Sequence, residues 1–151
     1  MHVELELRWA DQDSYGHINN VAYGRFLEEA RVRVFFTGTA RERTGLERYF
    51  NADTPGGPMM LLASQHIEYL RVLEYSPDPL VVELWIGRLG GSSLEVHCEV
   101  IDGSKPERTV VARAVSHVVL VDGETMRPMR LDDDGRAAVE AWMDEPLQLR
   151  R

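Results

Sequence analysis

Ten consecutive residues, Asp11-Gln12-Asp13-Ser14-Tyr15-Gly16-His17-Ile18-Asn19-Asn20, hold two carboxylates, a glycine, a histidine and two asparagines. The periodicity on either side predicts that they lie between a strand and the start of a helix. A helix N-terminus presents unpaired N–H groups and the positive end of the backbone dipole. A backbone donor there could stabilise an oxyanion developing on a carbonyl. A carboxylate held beside it could attack that carbonyl or activate water. Hydrolysis of a thioester needs those two parts and no metal or organic cofactor. The same residues are also ordinary turn and capping residues, so composition alone leaves both readings open.

The flanking elements must position the segment. Residues 3–9 alternate Val3, Leu5, Leu7 and Trp9 with Glu4, Glu6 and Arg8, the period-2 pattern of a half-buried strand. Asn19 or Asn20 is a suitable N-cap for a helix reaching about Thr37, with Gly38 as its stop. Tyr23, Phe26, Leu27, Ala30 and Val34 share one face of it, and Arg25, Glu29 and Arg33 stack at i, i+4 on the other. The turn-forming stretch 51–58 closes this region. Strand-like runs follow over residues 59–71, 80–88, 93–101 and 109–121, separated by Ser76-Pro77-Asp78-Pro79, Gly90-Gly91-Ser92 and Asp102-Gly103-Ser104-Lys105-Pro106. Such short connections favour antiparallel pairing. Residues 132–143 could form a short C-terminal helix. The expected fold is α+β, an antiparallel sheet of about five strands wrapped around one long helix. Ala112, Ala114 and Ser116 form a small face that lets the helix approach.

The whole chain narrows the classes of function. Its 151 residues suit one domain spanning 1–151, with 44% hydrophobic and 28% charged residues. A formal net charge of −8 argues against nucleic acid or anionic membrane as a general partner. The N-terminus lacks a basic region followed by an apolar run, and no stretch has the length of a membrane span, so a cytoplasmic location is expected. The single cysteine, Cys98, sits in an alternating apolar run and reads as a small buried residue rather than a nucleophile. No Cys/His cluster has metal-ligand spacing, and neither a metal nor a cofactor is expected.

The segment Asp11–Tyr23, with Leu27-Glu28-Glu29-Ala30-Arg31 after it, resembles the signature of the 4-hydroxybenzoyl-CoA thioesterase family of hotdog proteins. The likeness is dense over residues 8–36. It continues more weakly through Ile67-Glu68-Tyr69-Leu70-Arg71, Gly91-Ser92-Ser93 and Asp122 to Arg127-Pro128, with Val72 where a proline is usual. The resemblance implies an acyl-CoA thioesterase in which Asp13 is the catalytic carboxylate and the backbone N–H of Asn20 polarises the thioester carbonyl. It also implies a homodimer or homotetramer with sites at the subunit interface. His17 stands where benzoyl-type members carry an apolar residue. In that it resembles aliphatic acyl-CoA and plant acyl-carrier-protein thioesterases, which makes His17 a candidate site residue and an acyl-carrier-protein substrate an alternative. Tyr23 is a candidate for lining the acyl tunnel, against a plain core role. Arg88 and Ser92, at the Gly90–Ser92 turn, are candidates for holding coenzyme A, with Arg71 and Arg113 behind them. A hotdog that binds acyl-CoA without hydrolysing it is the non-enzymatic alternative.

Overall fold

A computed structural model describes residues 1–50 and 58–150 of the chain. The expected turn over residues 51–58 lies, apart from Pro58, outside the described residues. The element order is β1 (His2–Leu5), a 3-10 turn (Trp9–Asp11), α1 (Asn20–Phe35), α2 (Glu47–Phe50), β2 (Pro58–Tyr69), β3 (Leu80–Leu89), β4 (Ser93–Ile101), β5 (Val110–Asp122) and α3 (Asp133–Glu140). The strands form one antiparallel sheet in the order β1-β3-β4-β5-β2. β1 and β2 are its two edges.

Alternation decides which strand residues meet the helices. Leu94, Val96, Cys98 and Val100 of β4 and Ala112, Ala114, Val118 and Leu120 of β5 are buried, and they share one core with Phe26, Leu27, Ala30 and Val34 of α1. α1 has 16 residues, roughly 24 Å at 1.5 Å per residue. It stops two residues before the expected Thr37. Small side chains on β5 admit it closely enough for Arg31 Nη1 to donate to Ser116 Oγ at 3.2 Å. Burial lowers the Arg31 pKa from its usual value. Cys98 is fully buried, and burial pushes its thiol up to about 12, which removes it as a nucleophile at neutral pH.

Two sequence expectations need correction. β1 ends at Leu5 rather than Trp9, because its partner β3 begins at Leu80, opposite Leu5, after Pro77 and Pro79. The chain then turns away, and Trp9 is 74% exposed, with its ring edge-on to Tyr75. On α1, Glu29 pairs with Arg33 at 2.9 Å, but Arg25 leaves that row and binds Asp11 instead.

The C-terminal segment crosses part of the outer face of the sheet, over β3 and the middle of β4. Trp142 and Asp144 exchange backbone hydrogen bonds with Ile86, and Trp85 Nε1–H donates to the Glu145 carbonyl. Beneath this strap His97 is 2% exposed, and its Nδ1 accepts the Leu147 N–H at 3.0 Å. The proton of the neutral ring therefore sits on Nε2, a buried atom 3.5 Å from Glu95 Oε2 and with no closer hydrogen-bond partner among the described residues. The ring lies over Gly87, where a Cβ would come within 2.1 Å of Nε2. Burial lowers the His97 pKa, opposed by Glu95 and reinforced by His117 and Arg88. A base with a folded pKa below its unfolded value of about 6.5 contributes stability that is full above that pH and lost as pH falls through the folded pKa. The melting temperature is therefore expected to fall between pH 7 and 5.5, with a shallower slope in His97→Gln. Identical slopes would contradict this role. No helix among the described residues is long and apolar enough to cross a membrane.

Candidate active site

The turn leading into α1 is held by its own side chains. Arg8 N–H donates to Asp11 Oδ2 at 2.8 Å, and Arg25 Nη2 lies 2.7 Å from both oxygens of the buried Asp11 carboxylate. Asn19 N–H donates to the Asp11 carbonyl, which closes the loop at its base. Within the loop Asp13 N–H donates to the His17 carbonyl at 2.7 Å, and Gly16 N–H returns to the Asp13 carbonyl at 3.1 Å. Gly16 has φ +77, a left-handed conformation that glycine adopts without the usual Cβ clash.

The Asp13 carboxylate is fixed by this geometry. Its Oδ1 accepts Tyr15 N–H at 2.8 Å and His17 N–H at 3.1 Å, an Asx-type arrangement that sets the side-chain orientation. No hydrogen bond to Oδ2 is formed among the described residues. One oxygen is thus structural and the other is available to a ligand.

Asn19 is the N-cap, with Oδ1 accepting Val21 N–H at 3.0 Å, and its carbonyl accepts Ala22 N–H at 2.9 Å. Asn20 is the first helical residue. The cap satisfies the N–H groups of Val21 and Ala22, whereas Asn20 N–H has no acceptor among the described residues. The helix start therefore offers one free, dipole-assisted donor close to the Asp13 loop.

These groups open onto one cleft of about 550 Å³, whose lining includes Asp13, His17, Asn20 and Tyr23. Four of the six candidate site residues are thereby brought together. Ile18, Leu70, Val72 and Leu73 add an apolar wall. Tyr23 combines a core role with a place in the lining. It is 3% exposed and packs edge-on against Phe26 and Tyr69, while also bordering the cleft. Burial, with Tyr69 and Asp102 adding, pushes its phenol up to about 12, so it stays protonated at neutral pH.

Tyr69 is a site residue that local spacing does not reveal. Its hydroxyl donates to the Asn20 carbonyl at 3.2 Å, tying the end of β2 to the start of α1. The segment after β2 continues the clamp, since Leu73 O accepts Ile18 N–H at 2.8 Å and Glu74 pairs with His17.

Arg88 and Ser92 lie elsewhere. The Arg88 side chain is 73% exposed and stands 3.6 Å from Glu95. Ser92 accepts Leu120 N–H, and Leu120 lies opposite Met60, nine strand positions from Tyr69. At about 3.3 Å per residue that is roughly 30 Å along the sheet. Within one chain neither residue belongs to the cleft, because the β3–β4 turn lies at the opposite end of the sheet. A further cleft of about 630 Å³ between β1 and α1 includes Arg25 and Arg33 in its lining, already bound to Asp11 and Glu29. It lacks a free nucleophile–donor pair of the kind at Asp13 and Asn20. Among the described residues no group of three or more His, Cys, Asp or Glu side chains could hold a metal ion.

Comparison with known proteins extends this description. The model of the thioesterase-like superfamily matches residues 7–142. The long-chain acyl-CoA thioesterase FadM of Escherichia coli K12 is 30% identical over 142 residues, covering 93% of this chain and 97% of FadM. Among solved structures, the PA5185 protein of Pseudomonas aeruginosa PAO1 superposes with a TM-score of 0.74 at 28% identity, over 95% of this chain and 91% of its own. A thioesterase of Thermus thermophilus, solved with coenzyme A and Zn, gives a TM-score of 0.69 at 25% identity, over 91% of this chain and 95% of its own.

Proposed function

The chain belongs to the thioesterase-like superfamily of hotdog-fold thioester hydrolases, and from that membership we propose that it hydrolyses acyl-coenzyme A thioesters to free acid and coenzyme A. The observation that carries the proposal is the pairing of an oriented carboxylate with a free helix-start donor in one cleft. FadM, by its name, acts on long-chain acyl-CoA, and the Thermus relative holds coenzyme A. Both favour coenzyme A over acyl-carrier protein as the thiol carrier.

In the proposed reaction the thioester carbonyl oxygen accepts the Asn20 N–H and the carbonyl carbon faces Asp13 Oδ2. Asp13 either takes a proton from a water whose oxygen bonds to that carbon, or bonds to the carbon itself and is released by water. In both routes negative charge builds on the carbonyl oxygen, against the N-terminal end of α1, where the dipole stabilises it most. The C–S bond then breaks. In the first route the thiolate takes back the proton that Asp13 accepted from water. In the second it is expelled before water opens the acyl–Asp13 anhydride, and takes its proton from solvent. His17 lines the same cleft, and Ile18, Tyr23, Leu70 and Leu73 would give the acyl group an apolar seat. Release of free thiol from acyl-CoA tests the reaction. Faster turnover on the matched acyl-carrier-protein thioester would favour the alternative carrier.

The working unit is proposed to be a homodimer or a tetramer built from it. β2 is a 12-residue edge strand with Met59, Leu61 and Leu62 exposed, and a long apolar edge is a template for pairing. Two copies joined antiparallel through β2 would set the Gly90–Ser92 turn of each beside the Tyr69 end of the other. That arrangement would return Arg88 and Ser92 to the site from a second copy. Sedimentation is expected to give at least twice the 17.2 kDa chain mass, and a monomer at micromolar concentration would contradict the proposal.

A further inference from the structure

The C-terminal strap runs further than its contacts with β3 and β4. Ile86 holds Trp142 and Asp144, Trp85 holds Glu145, His97 holds Leu147, and Glu68 on β2 accepts the backbone N–H of Arg150. Trp85 and His97 are register partners, and their row continues through Val115 to His66. Glu68 lies two residues beyond His66, toward Tyr69, on a free edge strand. Tyr69 holds the Asn20 carbonyl, and Leu70 and Arg71 donate their N–H groups to the Val111 carbonyl. The strap thus joins the buried His97 to the end of β2 that borders the candidate site.

The His97 anchor works in one protonation state only. The Leu147 N–H needs the lone pair of Nδ1, which the neutral ring keeps when its proton is on Nε2. An imidazolium carries a proton on both nitrogens, so a donor would face a donor, and turning the ring over changes nothing. Trp85 stacks on the ring with centroids 5.9 Å apart, and Gly87 lies against Nε2 and Cδ2, so the ring is held in place. The charged and titratable groups around it are Glu95 on β4, Arg88 on β3, His117 on β5, and Asp144 and Glu145 on the strap. Glu95 Oε2 is 3.5 Å from Nε2, while its Oε1 stands 3.6 Å from Arg88 and 3.7 Å from His117. That carboxylate is shared, and it cannot give an imidazolium a full counter-charge. Asp144 spends Oδ1 on the Glu145 N–H, and Glu145 meets Trp85 through its backbone carbonyl.

We infer that His97 is a proton-operated latch: its neutral ring holds the C-terminal strap on the sheet, and protonation releases the strap and loosens the end of β2 beside the cleft. The consequence for turnover rests on the proposed thioesterase reading, whereas the latch itself does not. Burial holds the closed ring below the usual histidine range, which agrees with the geometry. The latch is therefore fully closed above about pH 6.5, the ordinary histidine value, and its contribution is lost as pH falls through the lower value of the closed state. Release is local, since β3, β4 and β5 keep their own ladders when the strap leaves.

The test is amide hydrogen exchange on wild type, His97→Gln and His117→Gln, with protection corrected for the intrinsic pH dependence of exchange. One proton shifts an equilibrium at most tenfold per pH unit, so protection of the wild-type Leu147 N–H is expected to fall about three- to tenfold between pH 7 and 5.5. The Leu70 and Arg71 amides should lose protection with it, while β4 amides should not. Glutamine can accept the same N–H through its side-chain oxygen and takes up no proton, so His97→Gln should show no such fall, and His117→Gln should show it in full. In wild type alone, imidazole nitrogen NMR should find Nδ1 unprotonated at pH 7 and its protonation coincident with strap release, which decides the matter even if the His97 variant fails to fold. On acyl-CoA, kcat/KM should fall more steeply with acid in wild type than in His97→Gln. Constant Leu147 protection, loss of the effect in His117→Gln, Leu70 and Arg71 amides that do not follow the strap, or equal steepness on acyl-CoA would each overturn the inference. If wild type releases no thiol at any pH, the hydrolase reading fails and the exchange data still decide the latch.

Discussion

Asp13→Asn is expected to lower kcat for acyl-CoA hydrolysis by about 10²- to 10⁴-fold, the range over which a positioned acid–base group contributes. The substitution separates chemistry from structure well here. Asparagine keeps the Oδ1 acceptor that receives the backbone N–H groups of Tyr15 and His17, so the loop retains both bonds. The bonds lose their charge assistance, at a cost of about 1 kcal/mol in stability. What vanishes is the second carboxylate oxygen, replaced by an amide that can neither attack a carbonyl nor accept a proton from water. kcat and kcat/KM should fall together, because the lost interaction belongs to the transition state. If turnover persists while stability falls by only that amount, Asp13 is a turn former only.

Asn20→Pro is expected to cost about 10²- to 10³-fold in kcat, the loss typical of one oxyanion donor. Proline removes the single group on which the proposal depends, the Asn20 N–H. It is well tolerated at the first helical position, where that N–H has no helical acceptor and the fixed φ suits the turn. The preceding residue must be extended, and Asn19 already is, at φ −61 and ψ 139. The Asn20 carbonyl that receives the Tyr69 hydroxyl is kept. Asn20→Ala, which deletes the side chain but keeps the N–H, should stay within about twofold of wild type if the backbone alone acts. Circular dichroism and kcat on both variants check the argument. Equal activity of the proline and alanine variants would remove the helix start from the mechanism.

How much of this is legible in the sequence depends on how local the determining contacts are. β3, β4 and β5 announce themselves by alternation, and Asp13 and Asn20 fall seven residues apart in one loop and its capping helix. Their mutual placement is therefore a property of a short stretch of chain. β1 reads longer than it is because Leu7 and Trp9 keep the alternation after the partner strand has ended at Leu80. Periodicity records which residues could face a core, not where a neighbour stops. Arg25 is the same lesson on a helix. Its i+4 neighbour Glu29 already pairs with Arg33, and a buried carboxylate at Asp11 offers a drier partner.

The remaining features depend on tertiary closure. Tyr69 meets Asn20 across 49 residues. Resemblance groups Arg88 and Ser92 with the site, whereas the register places them at the far end of the sheet in the same chain. Only strand order could distinguish the two ends. The same order leaves β2 as a free edge, which is why the dimer and the role of the β3–β4 turn stand or fall together.

The most direct measurement is the rate of free-thiol release from a long-chain acyl-CoA by wild type and Asp13→Asn, with coenzyme A binding followed in parallel. The account predicts multiple turnovers by wild type, a loss of about 10²-fold or more in the variant, and coenzyme A binding retained by both. Coenzyme A binding without thiol release by wild type, or equal release by both proteins, would contradict it.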